Sequence, residues 1–220
     1  MQIETQSPVR TINAGSAPRQ RRIKPRKQRG FTLLEVIVVV AILGIIAWIV
    51  APKLFGSTDN AKALAYSTTA SGLANNWRVV NQNCGTSSLI ASSAITTNPG
   101  PAGALQLLVD GVGLNATYQA CYQSANTQTL HESIQGSAAD GYTLNNSVIT
   151  LSDANINGKQ LVAVQYAPAT DAIVLANYQK YSSVAGASQA ISLPAAADTT
   201  DPKIQFSTDN GGTRTMTIFE

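Results

Sequence analysis

Residues 31–51 read FTLLEVIVVVAILGIIAWIVA, 21 residues with a single charge, Glu35. As an α-helix this run is about 31 Å long, close to the roughly 30 Å hydrocarbon core of a bilayer. No other stretch of the 220-residue chain approaches that length and apolarity. Trp48 stands near the far end, where an indole settles at a membrane interface. On the near side, residues 1–29 hold eight bases (Arg10, Arg19, Arg21, Arg22, Lys24, Arg26, Lys27, Arg29) and one acid, Glu4. The total charge of +3 therefore hides a balance of +7 before the run and −4 after it. Bases concentrate on the cytoplasmic flank of a membrane helix, which places the N-terminus inside and residues 52–220 outside.

Two other readings of the arm and the run fit less well. A secretory signal has an apolar core of about 7–15 residues followed by a small-residue cleavage site, whereas here the run is longer and a helical pattern continues beyond it. A nucleic-acid-binding arm is basic too, but this one stops at an apolar run, so no direct nucleic-acid contact is expected. Charged residues make up 12% of the chain, about half the usual share, so the surface is rich in Ser, Thr, Asn, Gln and Ala. That composition suits an exported protein that packs on copies of itself better than a cytosolic enzyme.

Glu35 is the anomaly within the run. A charged side chain at the centre of a membrane helix costs about 2.5–3.5 kcal/mol on insertion scales, and such groups normally face a partner. No base lies between residues 31 and 51 to serve as one. A cut just before Phe31 would create a cation there, a free α-amino group. The amine of a neighbouring copy reaches Glu35 if helices stagger by about one turn. The plainer alternative is an acid near a helix start, wet at the interface.

The segment Gly30-Phe31-Thr32-Leu33-Leu34-Glu35, with Gly44 and Pro52 after it, closely resembles the signature of type IV pilins and related pseudopilins. In that family a glycine precedes the cut, an aromatic or apolar residue follows it, Glu is fifth in the mature chain and Pro is often twenty-second. Counted from Phe31, Glu35 is fifth and Pro52 twenty-second. The resemblance covers residues 30–52, about a tenth of the chain. It implies cleavage between Gly30 and Phe31 by a membrane-embedded prepilin peptidase, and N-methylation of Phe31. It implies pairing of Glu35 with a neighbour's Phe31 amine during assembly, with Gly44 and Pro52 as weak points of the packed helix. The partners implied are copies of the chain in a helical filament, other pilins and an inner-membrane assembly platform.

The rest of the sequence fits an α+β fold: a long N-terminal helix, its first half transmembrane, laid on a C-terminal antiparallel β-sheet in the ladle form of pilins. The expected division is a cleaved leader (1–30), a transmembrane and assembly half-helix (31–51), and an exported domain (52–220). Pro52 lacks an N–H and loosens or ends the helix; continuation is favoured because a helical stripe follows. Tyr66, Ala70, Leu73, Trp77, Val80 and Cys84 recur at steps of 4, 3, 4, 3 and 4, one face of an amphipathic helix over 52–84. Residues 85–128 read as a long loop with a breaker at Asn98-Pro99-Gly100-Pro101 and a short helix over 102–109. Over 129–220 the pattern turns to strands, in three expected hairpins: 142–144 with 148–151, 161–166 with 173–178, and 204–206 with 215–219. If the body is exported, Cys84 and Cys121 are expected to form a disulfide; free thiols are the alternative for a cytosolic chain.

The sequence offers little catalytic chemistry. The single histidine, His131, has no neighbouring cysteine and no metal spacing. Gly111-Val112-Gly113 is a turn and no phosphate loop. Asp198, Asp201 and Asp209 are read as solvated turn acids; Ca²⁺ ligation is the alternative, suggested by the resemblance, since the major type II secretion pseudopilin carries such a site near its C-terminus. The glycosylation triplets at Asn115 and Asn145 carry no weight in a bacterial protein. The expectation is thus no enzyme, no cofactor and no metal. The chain reads as a structural subunit of an extracellular type IV pilus for adhesion, motility or DNA transfer, held in the inner membrane as a precursor. The alternative is a pseudopilin of a type II secretion system or a minor pilin. Pro52-Lys53-Leu54-Phe55-Gly56 fits the major pseudopilins, which are usually shorter and lack the cysteine pair. Gly30→Glu places a bulky charge where the peptidase needs a residue without a side chain. Mass spectrometry of that variant should find the leader attached, and normal processing would refute the assigned cut.

Overall fold

The structure, a computed structural model, describes residues 32–125 and 133–220, with residues 51–57 described by backbone alone. The leader, Gly30, Phe31 and His131 lie outside the described residues. The chain divides into two compact units, Met1–Ile46 and Ala47–Glu220. It is an α+β protein: an apolar N-terminal helix and a C-terminal antiparallel sheet of six strands.

Helix α1 runs Leu33–Asn83 and passes through Pro52. Over Leu33–Val50 its mean hydropathy is 3.0, it is long and apolar enough to cross a membrane, and none of it is buried among the described residues. In the second unit α1 becomes amphipathic. Tyr66, Ala70, Leu73, Trp77 and Val80 are buried, and Cys84, just past the helix end, packs against the same cluster.

That face meets the inner face of the sheet. Tyr66 Oη donates to Leu144 O at 3.0 Å and shares a hydrogen bond with Ser147 Oγ at 2.6 Å. Tyr166 Oη donates to Tyr66 O at 2.9 Å, and the two rings pack edge to face with centroids 4.7 Å apart. Trp77 Nε1 donates to Ser88 O at 2.7 Å, so the largest core side chain leaves no buried donor unpaired.

The strands are β1 (Gln135–Ser137), β2 (Gly141–Leu144), β3 (Ser147–Ile156), β4 (Lys159–Thr170), β5 (Ile204–Phe206) and β6 (Thr213–Phe219). Their order is β1-β2-β3-β4-β6-β5, with every pair antiparallel. Asn145 and Asn146, at φ 48° and 71°, make the two-residue turn expected between β2 and β3. A second such turn, Asn157-Gly158 at φ 54° and 78°, joins β3 to β4. Both strands reach it and so extend beyond the expected 148–151 and 161–166. The sequence Asn-Gly is the strongest short hairpin signal, and it marks this turn.

Two expectations are corrected. Residues 173–178, expected as a strand, lie in helix α4 (Asp171–Tyr181). Ile173, Val174, Asn177 and Tyr178 are buried there, at a helical spacing rather than an alternating one. Two β-branched residues at the start suggested a strand, but β4 itself continues through Pro168 to Thr170 with a register shift after Tyr166. Asp171 in the first turn and Lys180 in the last complement the helix dipole. Residues 85–128 are also less irregular than expected. They hold α2 (Pro101–Asp110), a 3₁₀ turn (Ala116–Tyr118) and α3 (Gln119–Ser124). Asn115 Oδ1 accepts the Thr117 N–H at 3.1 Å, so this asparagine caps the 3₁₀ turn.

The segment between α4 and β5 is fastened by buried Asp201. Its Oδ2 accepts from Ser182 Oγ at 2.5 Å and Ser183 N at 2.8 Å. Its Oδ1 accepts from Lys203 N at 2.7 Å and Ile204 N at 3.3 Å. Burial alone would push the carboxyl up, but the Ser182 hydroxyl and the three amides prevail and hold it below the usual carboxylate range. A carboxyl lowered on folding adds stability above its unfolded pKa and loses it as pH falls through the folded value. Asp201→Asn should therefore cost about 1–3 kcal/mol near neutral pH. In urea unfolding of the detergent-solubilised chain, that gap from wild type should shrink as pH drops below the ordinary carboxylate range.

Candidate functional site

Among the described residues the functional segment begins at the cap of α1. Thr32 O accepts from Glu35 N at 3.0 Å and Val36 N at 3.3 Å, and Thr32 Oγ1 accepts from Glu35 N at 3.3 Å. Thr32-Leu33-Leu34-Glu35 has the spacing of a capping box, in which the hydroxyl of the first residue meets the amide of the fourth. Thr32 adds to the sequence motif a capping role that its spacing from Glu35 already carries. The cap fixes the helix start at Leu33, so Glu35 stands in the first turn.

Among the described residues nothing covers this segment. Leu33 is 79% exposed and Trp48 81%, and the apolar residues between them are exposed as well. Glu35 has no ion pair among the described residues, where Arg214–Asp171 is the pair present. A Cβ added at Gly44 would meet nothing within 4 Å, so packing inside the chain does not explain a glycine there. Its absence of side chain in mid-helix costs about 1 kcal/mol relative to Ala. Helix α1 continues across Pro52, whose missing N–H leaves the Trp48 carbonyl without its usual partner. Phe31 and Gly30 lie outside the described residues.

The second element of the site is the junction behind α1. Cys84 and Cys121 form a disulfide with Cα atoms 5.2 Å apart, closing a separation of 37 residues. Asn83 Nδ2 donates to Cys121 O at 2.6 Å and to Ser124 Oγ at 2.9 Å, which binds α3 to the helix end. Tyr122 Oη donates to Leu107 O at 3.0 Å and ties α3 to α2.

The aspartates considered for Ca²⁺ are occupied by their own backbone. Asp198 Oδ1 accepts from Thr200 N and Asp201 N, and Asp209 Oδ1 from Gly212 N. Asp201 is engaged as described above. Among the described residues no group of three or more His, Cys, Asp or Glu is placed to hold a metal ion.

Comparison with known proteins follows the same segment. Residues 25–51 match the prokaryotic N-terminal methylation motif. The chain is 63% identical over 38 residues to type II secretion system core protein G of Vibrio cholerae, 17% of this chain and 26% of that protein. It is 56% identical over 36 residues to the Dickeya chrysanthemi protein of the same name, 16% and 24% of the two chains. Against the Pseudomonas aeruginosa protein the figures are 54% over 37 residues, 17% and 26%. The match thus spans about a quarter of each of these relatives. No solved structure matches the chain. Over this N-terminal segment the chain carries a prepilin-type methylation motif and is homologous to type II secretion system core protein G. Replacing Cys84 by Ser should lower the unfolding free energy by about 3–4 kcal/mol, the chain-entropy value for a loop of this length. Denaturant titration under non-reducing conditions reads that loss directly.

Proposed function

We propose that this chain is a filament subunit of the pseudopilin kind, processed before Phe31 and polymerised through α1 by a type II secretion apparatus. The observation that carries the reading is its identity of 63% over 38 residues to a type II secretion core protein G. The apolar, uncovered half of α1 and the prepilin motif support a membrane-anchored precursor that later packs among other pilin-type subunits. The role is structural, with no reaction assigned to the chain. Prepilin peptidase, the assembly platform and copies of the chain are the partners of this reading.

Its electrostatics are simple. Cleavage removes the +7 leader and exposes an amine at Phe31, just ahead of the Thr32 cap. The amine adds to the positive end of the helix dipole. A neighbouring α1 displaced by about one turn, roughly 5.4 Å, places its Glu35 against that amine. Pairing relieves both charges of the cost of an apolar surrounding and sets the axial register.

A second reading, an extracellular type IV pilus, is favoured by the body of the chain. The matched stretch is a smaller share of this chain than of the relatives, so this chain is the longer, and it carries the Cys84–Cys121 bridge. Deleting the gene and assaying secreted enzymes, with shearing of surface fibres from wild type, separates the two. Loss of secretion without abundant fibre supports the pseudopilin; abundant fibre of this chain with secretion intact supports the pilus. In either case Glu35→Leu should insert and be processed but assemble at least about tenfold less, the effect of losing a charge-assisted hydrogen bond. A wild-type filament yield from that variant would refute the pairing.

A further inference from the structure

An asparagine followed by glycine carries a reaction of its own. Glycine has no Cβ, so its backbone nitrogen can close on the side-chain carbonyl carbon of the residue before it. The chain holds two such pairs, Asn157-Gly158 and Asn210-Gly211. Both asparagines are exposed, and neither side-chain amide takes part in a hydrogen bond among the described residues. What separates the two is the backbone each stands on.

Asn157 and Gly158, at φ 54° and 78°, close the β3–β4 hairpin over the pair Ile156↔Lys159. Among the described residues β2 pairs with β3 at Ser147 and Val148 alone. On the other side β6 meets β4 from Ala163 onward, with Glu220 bonded to Val162. Residues 154–161 are therefore a two-stranded ribbon that no third strand flanks among the described residues. Asn155, Asn157, Lys159 and Gln160 are exposed along it. A two-stranded ribbon is marginal by itself, so its tip opens at low cost while the sheet stays intact. A Cβ added at Gly158 would meet nothing within 4 Å, so no neighbour blocks the approach.

Asn210 is tied on both sides. Its N–H donates to Thr213 O at 2.9 Å, and its carbonyl accepts from Thr213 Oγ1 at 2.9 Å. Asp209 Oδ1 accepts from Gly212 N at 2.8 Å, which fixes the residues around Gly211. These bonds belong to the turn into β6, a strand paired on both edges.

We propose that Asn157 is a site of spontaneous deamidation, and that the turn into β6 protects Asn210 from the same reaction. The Gly158 nitrogen bonds to Asn157 Cγ and the Cγ–Nδ2 bond breaks. The side-chain nitrogen leaves as ammonia, taking the Gly158 proton. Water then adds to one of the two carbonyls of the resulting succinimide and opens the ring. Attack at the side-chain carbonyl gives aspartate, and attack at the main-chain carbonyl gives isoaspartate. Water is the one co-reactant, and nothing is oxidised or reduced. Either product puts a carboxylate two residues from Lys159. Isoaspartate also adds a carbon to the main chain inside a two-residue turn, so Ile156 and Lys159 no longer face each other and the ribbon loses its closing pair. The modification goes beyond the filament reading and depends on neither version of it.

The test uses the full chain in detergent, held in warm, mildly alkaline buffer and sampled over time. Proteolysis and mass spectrometry follow the change from amide to acid at each asparagine, and electron-transfer fragmentation separates isoaspartate from aspartate. Asn157 should convert about tenfold faster than Asn210, the scale of opening two further hydrogen bonds. In chain unfolded by guanidinium the two rates should converge. Equal rates in the folded chain, or Asn210 ahead, overturns the proposal. So does a gap that persists in guanidinium, which assigns the difference to local sequence, or an Asn157 that converts only in the unfolded chain. Thr213→Val removes the bond to the Asn210 carbonyl and should speed Asn210 about threefold or more without moving Asn157. An unchanged Asn210 in that variant overturns the protection assigned to the turn. Near-ultraviolet circular dichroism of buried Trp77 reports whether the variant is folded, and the wild-type comparison decides the proposal whatever that variant does.

Discussion

One face of α1 is sealed against the sheet, and most of the second unit is positioned by it. Tyr66, Ala70, Leu73, Trp77 and Val80 are each at most 1% exposed. Full burial of a large apolar side chain contributes about 1.5–3 kcal/mol, and here that gain comes with hydrogen bonds that fix direction. Tyr66 and Tyr166 bond across the layer in both senses, ring to ring and hydroxyl to carbonyl. Asp153 on β3 accepts from the amides of Ile90 and Ala91, which draws the connection after α1 back over the helix end. The disulfide does the same from α3.

The same helix answers to two solvents. From Leu33 to Val50 it is apolar on every side, and beyond that it is apolar on one. A helix apolar all round requires a cover on all sides, from lipid or from other helices. The body requires only one, which the sheet supplies. Glu35 belongs to the first regime, and its chemistry is therefore settled by what surrounds the helix rather than by the fold of the body.

The sequence was most informative where a single period ran unbroken. The apolar run, the 4-3 stripe of α1 and the Asn145-Asn146 turn each have one local cause, and each was readable. Residues 173–178 were misread because β-branched Ile173 and Val174 favour a strand locally, while burial of Asn177 and Tyr178 on one helix face is decided by tertiary packing. The 3₁₀ turn at Ala116–Tyr118 rests on one cap, Asn115, that also reads as a modification triplet. Of the candidate site, Glu35 was legible as an unpaired charge, and Thr32 was present in the pattern but unused.

The outer edge of β5 carries a consequence of its own. Asp198 and Phe206 exchange both backbone hydrogen bonds there, N to O at 3.0 and 2.9 Å, so the last strand has its open row already occupied. At the other edge β1 is only three residues long and has Gly136 at its centre, at φ 108°. An exposed strand edge is a template for amyloid-like stacking of identical chains. Among the described residues these two edges leave little template for cross-β growth between identical chains. In the filament proposed above, contacts between neighbouring bodies then fall to side chains rather than to backbone pairing at these edges.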